Sequence, residues 1–506
     1  MLKNAFLVTI CLILSAVLGF IAQIVFVSTF GASGEMDAYF KILAIPSIIT
    51  GISPIIFSSV LIPTFAKFKS NRLDLNRFID SIWIIILGLG VLFTVIGLIV
   101  SLTSIDLFIS KETTDLKKIA FQVSLMIWLG SGFMFVSSYL MAILNYNKQF
   151  FEVAWTSILP AFFMIIFVLL FNVKLGIRSI SLGFCFALIF QFIILLKASK
   201  ISFNLLGFNI KRIPYKKLLL KQSFLVTLSL FPFTIIAPIA FFWASKLEIG
   251  SISYLGYSQS FAGFLSVAVS MGIAVVSLPE LADKFANEKG ESSFLRFEKT
   301  LRYVLLIGMF AAGVLIALRI PILSLFYERG SFDANSVYNL SSVLPWYLFA
   351  AVFVGGLNLL RNLFYSKGEF KNIAILGLII PIIFFVLAGL LKEEFSFVGI
   401  GIANTLTFAI LFFTSVYLAK NKEANFLTMF FLYFFLRNFI AVAISISSVS
   451  IFSSFIFDVT SQLVSIIFCI CIFLIIYILS SKFILKIKEI DEIGVIFMNA
   501  LKSSKL

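Results

Sequence analysis

Apolar runs of about 20 residues recur along this chain from Phe6 almost to its C-terminus, separated by short polar stretches. As a helix, a run of that length covers the ~30 Å hydrocarbon core of a bilayer. The runs are continuous rather than alternating, which rules out the strands of a membrane barrel. The pattern predicts helices over 5–30, 38–66, 80–103, 118–145, 153–173, 179–199, 222–245, 252–280, 300–326, 337–366, 372–391, 397–420, 425–454 and 461–486. Fourteen spans place both termini on one side. The expected fold class is therefore an all-α polytopic membrane protein.

Prolines punctuate these spans: Pro46, Pro54 and Pro63 in the second, Pro232 and Pro238 in the seventh, Pro345 in the tenth and Pro381 in the eleventh. Each removes a backbone donor and bends its helix. Three in one span, beside Gly51 and Ser53, mark the second helix as bent, either during transport or as a fixed kink for packing.

Two stretches repeat each other. Leu61-Ile-Pro63-Thr-Phe-Ala-Lys-Phe68 is echoed about 216 residues later by Leu278-Pro279-Glu-Leu-Ala-Asp-Lys-Phe285. Tyr146-Asn-Lys-Gln-Phe150 returns as Tyr365-Ser-Lys-Gly-Glu-Phe370 at nearly the same offset. A membrane chain repeated at half its length is the plan of transporters that handle a substrate between two similar bundles.

Composition narrows the function. The 506 residues are 61% hydrophobic and 12% charged, with mean hydropathy +1.11, against a charged fraction of about a quarter in soluble domains. The net charge of +15 comes from Lys and Arg gathered in the loops after even-numbered spans. That asymmetry puts those loops and both termini in the cytoplasm, beside anionic lipid, and gives no reason to expect nucleic acid. The richest loop holds Lys197, Lys200, Lys211, Arg212, Lys216, Lys217 and Lys221 and joins the two halves. There is no histidine, and Cys11, Cys185, Cys469 and Cys471 all fall in apolar spans, so no metal site or cofactor is expected. No Gly-rich phosphate-binding loop is present, so the chain is not expected to hydrolyse ATP. No loop exceeds about 25 residues, which argues against a membrane-embedded glycan polymerase or ligase.

Landmarks along about 370 residues resemble the lipid II flippase family, MurJ or MviN, of the multidrug/oligosaccharidyl-lipid/polysaccharide exporter superfamily. They are Ser15-Ala-Val-Leu-Gly-Phe20, Phe30-Gly-Ala-Ser-Gly-Glu-Met-Asp37-Ala-Tyr-Phe40, Ile45-Pro46, Ile62-Pro63, Ile143-Leu-Asn145 with Phe150, Leu255-Gly-Tyr257, Gly272-Ile-Ala, Leu278-Pro279, Leu325-Phe-Tyr-Glu-Arg329-Gly-Ser-Phe332 and Leu360-Arg361-Asn-Leu-Phe364-Tyr365. The resemblance implies two six-helix lobes (1–199 and 222–420), a basic linker (200–221), two further helices (421–486) and a cytoplasmic tail (487–506). It implies a flippase in a bacterial inner membrane that moves a polyprenyl-linked glycan lipid by alternating access, among membrane lipids and with a possible coupling cation. It leaves the oligomeric state open. The family's lipid II transporters carry cavity arginines where this chain has Ala16, Ala22, Thr50 and Ser260. Losing four groups suited to a diphosphate favours a lipid-linked glycan other than lipid II itself. A cation-coupled drug exporter of the same fold is the competing expectation.

Asp37 and Lys41 stand one helical turn apart, close enough to pair. They are candidates for binding a polar head group or exchanging a cation, or else form an interfacial ion pair. Gln23, Tyr257, Gln259 and Ser260 fall where the family's cavity would be and could hydrogen-bond sugar hydroxyls, although such residues also glue helices together. Asn145, Arg361 and Arg437 are candidates for gating or head-group contact. Arg437 lies about 18 Å into its expected span, so it is an intramembrane charge or a sign that the span begins later.

Overall fold

The computed structural model describes residues 2–70, 75–108, 114–201, 216–266, 291–366, 370–419, 426–457, 462–487, 489–490 and 492. The repeat at Leu278–Phe285, the Gly272-Ile-Ala landmark, most of the linker and the tail beyond 492 lie outside the described residues. Helices account for nearly all the rest: α1 (Leu2–Phe30), α2 (Gly34–Ser70), α3 (Leu75–Phe108), α4 (Thr114–Tyr146), α5 (Phe150–Thr156), α6 (Leu159–Leu175), α7 (Arg178–Ser199), α8 (Lys216–Ala244), α9 (251–266), α10 (Glu291–Ala317), α11 (Arg319–Tyr327), α12 (Ala334–Ser366), α13 (Phe370–Ala419), α14 (Phe426–Phe457) and α15 (Gln462–Leu479).

The chain is a multi-pass membrane protein of the expected all-α class. Among the described residues, 12 helical segments are long and apolar enough to cross a bilayer. They cover thirteen of the expected spans, because α13 holds the eleventh and twelfth in one run. Ser396, with φ 52° and ψ −137°, divides it. The eighth expected span is described only over 251–266. Large apolar side chains such as Val91, Leu102, Leu169, Ile382 and Phe483 are exposed, as a lipid-facing surface requires.

The described chain forms two compact units. The first comprises residues 1–256 with 330–332 and 373–386, and the second holds the remainder. In the first, α4 packs on α2, α3 and α7, α6 packs on α7, and α8 lies along α2. Phe65, Phe68, Phe78, Trp83 and Tyr139 fill the space between α2, α3 and α4, and the Tyr139 hydroxyl donates to the Ile79 carbonyl at 2.7 Å. Pro46, Pro54 and Pro63 all lie inside α2, which runs unbroken across them. Beside the middle proline, the Ser53 and Ser138 hydroxyls bond at 2.9 Å. In a bilayer no water compensates such groups, so these two hydroxyls satisfy each other across α2 and α4.

In the second unit, α10 packs on α12 and α14, and α14 on α15. Phe353, Phe412, Phe431 and Phe435 form an aromatic cluster between α12, α13 and α14. The short segment after α15 returns to α10 through charge. Glu489 accepts from Arg302 at 2.8 Å, and Arg302 also pairs with Glu298 one turn away. Lys299 lies 2.7 Å from Glu492. Lys299, together with the Tyr303 hydroxyl, holds the Glu492 carboxyl below its ordinary range.

Candidate functional site

Asp37 stands in the first turn of α2 and is buried. Ser33 begins that helix, its Oγ accepting the Met36 N–H at 3.3 Å. The carboxylate reaches out of its own helix. One oxygen accepts the Gly250 N–H at 2.7 Å; the other accepts the Ser253 N–H at 2.7 Å and the Ser253 hydroxyl at 2.5 Å. These two amides are among those a helix cannot satisfy at its own start. One carboxylate therefore caps α9 while sitting in the first turn of α2, where the positive ends of both helix dipoles favour its charge. Lys41 is half-buried one turn further along. The sequence pairing of Asp37 with Lys41 did not foresee the 250–253 cradle.

Ser253 lies 216 residues after Asp37, the offset of the repeat. Gly256 stands at the same offset from Phe40, and a Cβ there would lie 2.8 Å from three carbons of the Phe40 ring. The preceding loops approach in the same way: a Cβ on Gly250, whose φ is +94°, would meet the Ala32 carbonyl oxygen at 3.0 Å. The paired residues are unlike each other, carboxylate against hydroxyl and ring against bare backbone. That divergence lets the two helix starts interlock.

A separate cavity of about 550 Å³ opens among α1, α2, α4, α5, α6 and α7. Its polar lining includes Thr50, Asn145, Ser157 and Gln191. Thr50 is a position where the resemblance implies arginine in lipid II transporters, and Asn145 is a sequence candidate. Gln191 was missed, because one amide in an apolar span resembles a packing residue. It is only 2% exposed, and its Oε1 has no hydrogen-bond partner among the described residues. Gln23 is buried on α1 but neither it nor Asp37 lines this cavity. The site is amides and hydroxyls in an apolar wall, suited to hydrogen-bonding a neutral polar group. Replacing Gln191 by Leu removes a buried amide oxygen that has no partner, so thermal stability is expected to hold or rise. Translocation is expected to fall about fivefold, measured in membrane vesicles.

The remaining candidates lie in the second unit. On α9, Tyr257 is buried, Ser260 half-buried and Gln259 exposed; on α12, Arg361 is half-buried. Arg437 stacks on Tyr433, its guanidinium carbon 3.8 Å from the ring centroid, and bonds the phenol oxygen. α14 begins at Phe426, so Arg437 lies about 16 Å along the helix. The next residue, Asn438, points inward and is fully buried. It accepts from the Tyr477 hydroxyl at 2.7 Å and donates to Met309 Sδ at 3.2 Å, joining α14 to α15 and α10. Asn438→Ala is expected to lower unfolding stability by about 1–2 kcal/mol, the upper range for such bonds in membranes, as read by thermal unfolding in detergent.

Comparison with known proteins agrees with these features. The family described as Lipid II flippase MurJ matches residues 26–477. A probable lipid II flippase MurJ from Buchnera aphidicola subsp. Baizongia pistaciae is 26% identical over 432 residues, covering 81% of this chain and 82% of the relative. One from Vibrio cholerae is 24% identical over 430 residues, 80% of each. Among solved structures, a lipid II flippase MurJ in an inward closed conformation superposes with TM-score 0.77 at 21% identity, covering 94% of this chain and 98% of that one. An inward-facing multidrug-resistance transporter of the MATE family gives 0.57 at 14% identity, covering 80% and 94%. With the family matched across nearly the whole helical bundle, the chain belongs to the lipid II flippase MurJ family, a family of transporters rather than enzymes.

Proposed function

We propose that the chain translocates a polyprenyl-diphosphate-linked glycan precursor across the bacterial cytoplasmic membrane by alternating access. The family match over residues 26–477 carries this reading. Residues 1–199 and 222–420 act as the two lobes, 421–486 as two further helices, and both termini face the cytoplasm. In that orientation the starts of α2 and α9 lie at the outer face. The Asp37 cap then works as an outer latch, closed while the protein takes cargo from inside and broken when the lobes rock apart.

The head group enters the polar cavity of the first unit, which offers the neutral groups of Thr50, Asn145, Ser157 and Gln191; Gln23, Tyr257, Gln259 and Ser260 are further candidates for hydrogen-bonding its sugar hydroxyls. Arg361 and Arg437 serve at the cytoplasmic entrance and against a lipid phosphate. The membrane potential or a coupled cation supplies the drive, at about 2.3 kcal/mol per charge per 100 mV. A cation-coupled drug exporter needs an acid free to meet its substrate. Asp37 is the best acidic candidate in the sequence, and its carboxylate is already occupied by three donors.

Complementation tests the reading. Cells depleted of their own lipid II flippase, and cells lacking a surface-polysaccharide flippase, each receive this chain. Rescue of either is expected. Failure of both, at normal membrane abundance, counts against any polyprenyl-linked cargo.

A further inference from the structure

A second cavity, about 610 Å³, lies among α2, α3, α4 and α8 in the first unit, away from the polar cavity described above. Its size falls within the range of ligand sites, ~300–1,000 Å³. Its walls are almost wholly hydrocarbon, from Ile48 and Leu61 on α2 to Ile82 and Phe93 on α3. Two of the three hydroxyls among the lining residues are turned back into protein: Ser53 bonds Ser138, and Thr227 donates to the Ser223 carbonyl at 2.8 Å. Along α2 the lining runs about 20 Å, against roughly 15 Å for one leaflet of the hydrocarbon core. A space so lined excludes water and suits a hydrocarbon chain.

One end has charge. Leu219 and Leu220 close the cavity near the start of α8. Lys217 and Lys221, both exposed, flank them on the same helix, and their spacing of four residues puts the two ammonium groups on one face. With this end at the cytoplasmic face, the orientation proposed above, lysines there meet the phosphates of the inner leaflet. We propose that this cavity is a binding site for an anionic phospholipid of the inner leaflet, one acyl chain between α2, α3 and α8 and its phosphate at Lys217 and Lys221. It shares no lining residue with the polar cavity and stands whether or not the cargo assignment holds.

Native mass spectrometry of the purified full chain, exchanged into equal phosphatidylglycerol and phosphatidylcholine, tests this. One phosphatidylglycerol is expected to be retained at least fivefold over phosphatidylcholine. Lys217→Ala with Lys221→Ala should abolish the preference. Ser223→Trp, which fills the cavity, should lower retention of both lipids at least fivefold; Leu89→Trp fills it from the α3 wall should the first variant not fold. Equal retention of the two lipids by the unaltered chain, or undiminished binding in the filled variants, overturns the site. Preferential retention of an added polyprenyl phosphate overturns the phospholipid assignment.

Discussion

Asp37→Ala is expected to reduce translocation at least tenfold while the protein reaches the membrane in normal amounts. The substitution leaves the Gly250 and Ser253 N–H groups buried without their acceptor. Each such loss costs about 1–3 kcal/mol, and more where the acceptor was charged. A conformational equilibrium biased by about 3 kcal/mol shifts roughly 150-fold, so the latched state ceases to dominate. Asp37→Asn keeps the shape but turns an amide N–H₂ toward one of the donors, and should fall nearly as far. Ser253→Ala removes only the hydroxyl bond and should cost severalfold less. Lys41→Ala is expected to lower translocation about two- to threefold. The accompanying readout is labelling of cysteines placed near the start of α2, which should rise in Asp37→Ala if the outer end opens. Unchanged translocation in both Asp37 variants would leave the residue as packing alone.

The second large effect is steric. Gly31→Val and Gly330→Val should each lower the thermal unfolding midpoint sharply, equivalent to roughly 3 kcal/mol or more. Both glycines have φ near +60°, where a β-branched residue is strongly disfavoured, and each faces the backbone of the other's segment. A Cβ on Gly31 would lie 2.4 Å from the Ser331 carbonyl oxygen, and one on Gly330 would lie 2.2 Å from that of Ser28. Ser331 N–H donates to the same Ser28 oxygen at 2.8 Å, and its hydroxyl to Thr29 at 3.0 Å. The end of α1 is thus stapled to residues 330–331 through main chain, and neither side can withdraw without losing those bonds. Gly88, with open space around its Cβ position, should accept alanine without loss.

The architecture was legible because lipid leaves so few options. Continuous apolar runs set the helices, and the expected spans agree with the described ones to within a few residues except where the chain turns. Ser396 shows the limit: α13 is broken by a single residue at φ 52°, which the apolar pattern marked only as a gap between spans. The repeat gave the offset of 216, yet not that Asp37 and Phe40 pack on their own counterparts. Asp37 was legible as a charge too costly to leave alone in a membrane, but two of its partners are backbone amides, which sequence does not distinguish. Gln191 and Asn438 were hidden for the opposite reason. A single amide in an apolar helix has the same local signature whether it joins helices, as Asn438 does with Tyr477, or faces a cavity. The packing units also divide the chain differently from the repeat, because α8 packs along α2 within the first unit.

Transport by the purified chain in sealed vesicles tests the central claim most directly. Fluorescent lipid II and a fluorescent polyprenyl-diphosphate carrying a surface-polysaccharide repeat are placed in the membrane, and the fraction crossing is read by quenching from outside. At least one of the two should cross ten times faster than in protein-free vesicles, and Asp37→Ala should abolish the gain. Neither lipid crossing, while an organic cation is expelled by the same vesicles, would contradict it.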